Sequence, residues 1–146
     1  MQMSITNGGT MELIASAVVY PHFQVMSNEL STPKVLLCPN DVKRSYATNF
    51  DIGLSDKNLS YFVNVVATTE DGSGLLCGDR NITNTVRAGS RLVSLTKGDT
   101  LGWSKEMHVQ KGYLGFSDGR VDSFSNASVG AAIKIGDGTT NWLAVP

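Results

Sequence analysis

The sequence predicts an α+β fold, a small antiparallel β-sheet with packed helices, as a single domain over residues 1–146. Three observations carry this. The length of 146 residues with 41% hydrophobic and 17% charged side chains supplies one core and is too short for two ordinary domains. Fifteen glycines among many Ser, Thr and Asn residues mark a turn-rich, strand-containing chain. Apolar residues alternate in some segments and recur every three or four positions in others, so strands and helices coexist.

Residues 1–10 are polar and Gly-rich and read as an opening loop. A first helix is expected over 21–30, where Val19, Phe23, Met26 and Leu30 form one apolar stripe. Ser31, Thr32 and Pro33 end it, and the apolar run Val35-Leu36-Leu37-Cys38 follows as a short strand or buried extended segment. Residues 41–57 are expected to form a surface loop pinned by the rings of Tyr46 and Phe50. The clearest strand is 60–68, turned through 70–74 into Leu75-Leu76-Cys77, and another short one is expected over 91–95.

The best-defined hairpin runs from 111 to 124 about Asp118-Gly119, where a two-residue turn needs the positive φ that Gly takes without penalty. A last helix is expected over 127–135, N-capped by Asn126 and stopped by Gly136. Residues 137–141 then form a loop. Area arguments place both helices on one face of the sheet, with a residual apolar patch that promotes weak self-association.

Twelve basic against 13 acidic residues give a net charge of −1, which offers no electrostatic reason for nucleic acid or an anionic membrane as partner. No stretch approaches the roughly 20 apolar residues of a membrane helix. Cys38 and Cys77 permit one disulfide, although buried free thiols accord better with where cysteines usually lie. His22 reads as a helix-surface residue, and His108 as a pin that hydrogen-bonds backbone near the hairpin. A hydrolase using His108 with a turn carboxylate would need a nucleophile that no elbow-like context supplies. Residues 137–141, with Asp137 and Asn141, could offer oxygen ligands to calcium, but any turn has the same composition, and no cofactor is expected. No phosphate-binding loop is present. The Asn-x-Ser/Thr tripeptides at Asn58, Asn81 and Asn126 are common by chance, and Trp103 and Trp142 read as core or edge anchors rather than a sugar platform.

The run Val35-Leu36-Leu37-Cys38-Pro39-Asn40-Asp41, then Ser60-Tyr61-Phe62-Val63, Gly78-Asp79-Arg80-Asn81, and finally His108, nine residues, and Asp118-Gly119, resembles bacterial prepilin-type proteins related to the major pseudopilin of type II secretion. The last element matches their His-x9-Asp-Gly pattern, and the segment from His22 to Leu30 is similar to one in the versions found in Verrucomicrobia. The resemblance spans about 8–146. It implies a pilin-like globular head, non-catalytic, displayed on the periplasmic or extracellular face of the cell envelope, with other pseudopilin subunits and secretion machinery as partners. It marks Cys38, Pro39, Asp41, Asp79, Arg80, Asn81, His108, Asp118 and Gly119 as motif residues. Such proteins normally begin with a cleavable leader and a hydrophobic helix, which this sequence does not carry; the expectation is an excised head or a member that has lost its anchor. Arg120 also departs from the small or imidazole side chain many relatives place there. The reading from another class is a secreted or surface module binding carbohydrate or protein.

Overall fold

The structure is a computed structural model, which describes residues 3–68, 72–84, 91–133, 135 and 140–146. After 3₁₀ turns at Ile5–Asn7 and Met11–Ser16, the elements are α1 (Tyr20–Gln24), α2 (Ser27–Leu30), 3₁₀ turns at Pro33–Leu36 and Asp56–Asn58, β1 (Tyr61–Asn64), β2 (Leu75–Asp79), β3 (Ile82–Asn84), β4 (Leu92–Leu95), β5 (Leu101–Trp103), β6 (Lys111–Phe116), β7 (Val121–Ser125), α3 (Val129–Ala132) and β8 (Asn141–Ala144). Helices and an antiparallel sheet coexist, as the composition predicts. Six strands form one sheet in the order β4-β8-β1-β2-β6-β7, and β3 pairs with β5 in a separate ribbon. Every pairing is antiparallel.

Strand alternation divides the core in two. Phe62, Leu114, Phe116, Val93, Leu95 and Leu143 face one side with Val129 and Ile133 of the α3 region, whereas Val63, Val65 and Ala144 face the other with Val19, Phe23 and Leu36. The two helical regions therefore lie on opposite faces, not on one. The sheet offers an apolar surface on each side, and each needs its own cover. Met26, expected in the buried stripe, is 37% exposed.

The expected helix over 21–30 divides because Met26 N–H bonds Phe23 O at 3.1 Å, an i−3 bond that tightens the chain at the junction of α1 and α2. Residues 33–36 form a 3₁₀ turn rather than a strand: Pro33 presets φ, and the Thr32 hydroxyl accepts from Lys34 N–H at 3.4 Å. The last helix is one turn, with Ser128 at its N-cap; Asn126 Oδ1 instead accepts from Trp103 N–H at 2.6 Å, and Gly136 lies outside the described residues. In the loop over 41–57, Phe50 is buried as expected, but Tyr46 is exposed and Ala47 and Leu54 do the anchoring.

The β6–β7 turn has a three-residue loop rather than the expected two. Gly119 N–H bonds Phe116 O at 3.0 Å and Phe116 N–H bonds Arg120 O at 2.9 Å, with Gly119 at φ +84°. This is a type I turn closed by a left-handed residue. Gly119→Val should destabilise the fold by about 1 kcal/mol or more, because a β-branched side chain is strained there. Urea denaturation checks this; an unchanged midpoint would show that the turn relaxes at no cost.

Candidate functional site

One end of the sheet gathers seven of the residues singled out by sequence. The turn Cys38-Pro39-Asn40-Asp41 closes with Asp41 N–H on Cys38 O at 2.9 Å, and Pro39 occupies the position whose φ a proline presets. The end of β2 supplies Asp79 and Arg80, then Asn81, and His108 arrives from the segment preceding β6. Asp41 is 2% exposed and is gripped by Arg80 through two 2.6 Å bonds, Nε to Oδ2 and Nη2 to Oδ1. The Ser60 hydroxyl donates to the same carboxylate at 2.9 Å. Arg80 Nη1 continues to Glu106 at 2.8 Å, and Glu106 takes Lys43 Nζ at 2.6 Å. Planar pairing of this kind fixes both distance and orientation. Burial pushes the Asp41 carboxyl up, but the bonds from Arg80 and Ser60 outweigh it and hold it below the ordinary carboxylate range.

Asn81 closes the same corner by donating its amide to Ser104 O at 3.2 Å and Lys111 O at 3.1 Å. The clasp thus ties the 38–43 turn, the end of β2 and the 104–111 segment, three stretches distant in sequence.

His108 sits beside the clasp. Its Nδ1 lies 3.3 Å from Asn40 Nδ2, and its Nε2 lies 3.4 Å from Cys38 Sγ and 3.5 Å from Asp79 Oδ2. Tyr113 packs edge-on against the ring at 5.5 Å. The expected backbone partner is therefore replaced by side chains. Asn40 Nδ2 is a donor to Nδ1, and Nε2 is the nitrogen that faces the thiol and the carboxylate. Asp79 lies at the same nitrogen as the thiol instead of orienting the ring from the opposite one, as a nucleophile–base–acid triad requires. Burial, with Asp79 and Asp41 nearby, also pushes the Cys38 thiol up. The arrangement holds a neutral thiol in place.

Asp79 is 2% exposed and accepts Tyr113 N–H at 2.8 Å through Oδ2. Burial is the main reason its carboxyl is pushed up. Cys38 and Cys77 are both free thiols.

Asp118-Gly119 lies at the far end of β6 from His108. The nine residues of the His-x9-Asp-Gly spacing hold the strand itself, whose six residues span roughly 20 Å. The pattern records a strand and its two ends, not two groups that meet. Asp137 lies outside the described residues, and the Asn141 side-chain oxygen accepts from Asn64 Nδ2 at 2.7 Å. Among the described residues no group of three or more His, Cys, Asp and Glu side chains is arranged to hold a metal ion. His22, expected on a helix surface, is buried with Nδ1 2.7 Å from the Thr10 hydroxyl. Sequence reasoning gave no role to Asn40, Lys43, Ser60 and Glu106; Asn40 and Ser60 stand inside the quoted runs, but nothing in the spacing marks Lys43 and Glu106.

Asp79 also lines a groove of about 330 Å³ on the α1 side of the sheet. Its wall is Phe23, Leu30, Val35 and Leu36, and its floor comes from β2, β6 and β7. Tyr113 and Val121 on this floor are 47% and 65% exposed. Among the described residues no helix is long and apolar enough to cross a membrane. Comparison of the chain with protein-family models, with curated proteins and with solved structures finds no match.

Proposed function

We propose that the chain is a structural, non-catalytic subunit, the pilin-like head of a pseudopilus or related fibre of the bacterial cell envelope. It would assemble with other pseudopilin subunits and secretion machinery. The ordered series from Val35 to Gly119 supports the family reading, and one structural observation carries the non-catalytic one. The motif residues at the sheet end are engaged with one another and with their immediate neighbours: Asp41 with Arg80, Asn81 with backbone, and His108 with Asn40, Cys38 and Asp79. Residues so committed hold a surface in shape and leave no activated nucleophile. The alternative of a carbohydrate-binding module is less well supported, because Trp103 is 3% exposed and Trp142 packs into the core on the α1 side.

The test is immunogold electron microscopy and sedimentation of sheared surface material from the cells that make the protein. The expected result is label along short fibres that pellet with other pilin-like subunits. Label confined to a soluble, non-sedimenting fraction would overturn the reading. So would a hydrolytic turnover in the purified chain that His108→Ala abolishes.

A further inference from the structure

We propose that the groove beside Asp79 is a binding site for a small alkyl or aralkyl amine, whose ammonium group meets the Asp79 carboxylate and whose apolar body lies along the walls. The volume of about 330 Å³ falls in the range of small-ligand pockets. The walls from α1, α2 and the Pro33–Leu36 turn present only apolar side chains, Phe23, Leu30, Val35 and Leu36. Asp79 is the one carboxylate among the lining residues.

The carboxylate is only half committed. Oδ2 takes Tyr113 N–H and faces His108, while Oδ1 receives no hydrogen bond from the described residues although the side chain is 2% exposed. A carboxylate that lines an apolar groove with one oxygen unbonded favours a ligand that brings its own donor and counter-charge. The neighbouring cation Arg80 is already spent on Asp41 and Glu106. The rings of Tyr61 and Tyr113, which also line the groove, suit a cation by their π-faces, and burial pushes the Tyr61 phenol up to about 12. Charge complementarity thus selects an amine over a neutral alcohol of the same length. The inference is independent of the fibre reading.

The test is titration of the full chain with n-hexylamine and, separately, n-hexanol at pH 8, followed by calorimetry and by backbone amide shifts. Hexylamine should saturate and shift Cys77, Asp79, Tyr113 and Val121, with hexanol at least about tenfold weaker. Asp79→Asn keeps an acceptor for Tyr113 N–H and should bring hexylamine down to the level of hexanol. Should that variant not fold, Val121→Trp, at an exposed position on the groove floor, should weaken both probes. Failure of hexylamine to saturate, equal affinity for hexanol, shifts centred away from the groove, or unchanged binding in a folded Asp79→Asn or Val121→Trp each overturns the proposal.

Discussion

Arg80→Ala is expected to destabilise the fold by about 3–5 kcal/mol at neutral pH, the range for removing one partner of a buried ion pair. Among the described residues the variant leaves Asp41, whose side chain is fully buried, with only the Ser60 hydroxyl and the Lys43 N–H as donors. It also releases Glu106, so the 104–110 segment loses one of its ties to the end of β2 and keeps those of Ser104 to Asn81 and of His108 to Asp79. The exposed pair Lys43–Glu106 cannot substitute, since a surface pair of this kind contributes about 0–1 kcal/mol. Urea denaturation at pH 7 measures the loss. A change under about 1 kcal/mol would mean that the corner is held by packing and not by the clasp.

The pH dependence of that loss has a definite sign. With the Asp41 carboxyl below its ordinary value in the folded protein, its contribution is fully present above the unfolded value of about 3.9 and is lost as pH falls through the folded one. Without Arg80, burial acts against the charge and the sign reverses, so protonation relieves the variant. The gap between wild type and Arg80→Ala should therefore narrow between pH 7 and pH 3. A gap that stays constant would show that Asp41 does not titrate with the clasp.

How much of this was legible in the sequence depended on the range of the interactions. Strands β1, β2, β6 and β7 and the Asp118-Gly119 turn follow from alternation and turn chemistry, which are local. Helix lengths were overestimated because the stripe Val19, Phe23, Leu30 persists through a break that only the backbone bond at Met26 reveals. The short strands β3 and β5 have three residues each, too few for a period, and exist because they pair with each other and dock on the sheet. The motif residues were visible as a series, but their convergence was not. Asp41 and Arg80 stand 39 positions apart, and the Glu106 that completes their network has no pattern of its own. His22 misled for the same reason, since the Thr10 that buries it comes from a segment with no periodic signal.

Docking of the β3–β5 ribbon includes one close contact that an added methyl group removes. A Cβ at Gly112 in β6 would come within 2.5 Å of the Trp103 ring in β5, and Trp103 is 3% exposed. The indole lies against bare strand backbone, so neither side has room to give. Gly112→Ala should cost about 1–3 kcal/mol through overpacking, set against a small gain from reduced freedom of the unfolded chain. The effect reaches the site, because the residue after Trp103 joins the same corner: Ser104 N–H donates to Asn81 O at 2.8 Å, and Ser104 O accepts the Asn81 amide. Displacing the indole should loosen the segment that carries Glu106 and His108, and amide exchange there should quicken. Trp103→Phe, which shortens the ring system, should restore part of the loss in the double variant, giving a coupling of about 0.5 kcal/mol or more. If the two substitutions add without coupling, the close approach of Gly112 to Trp103 is not what seats the ribbon.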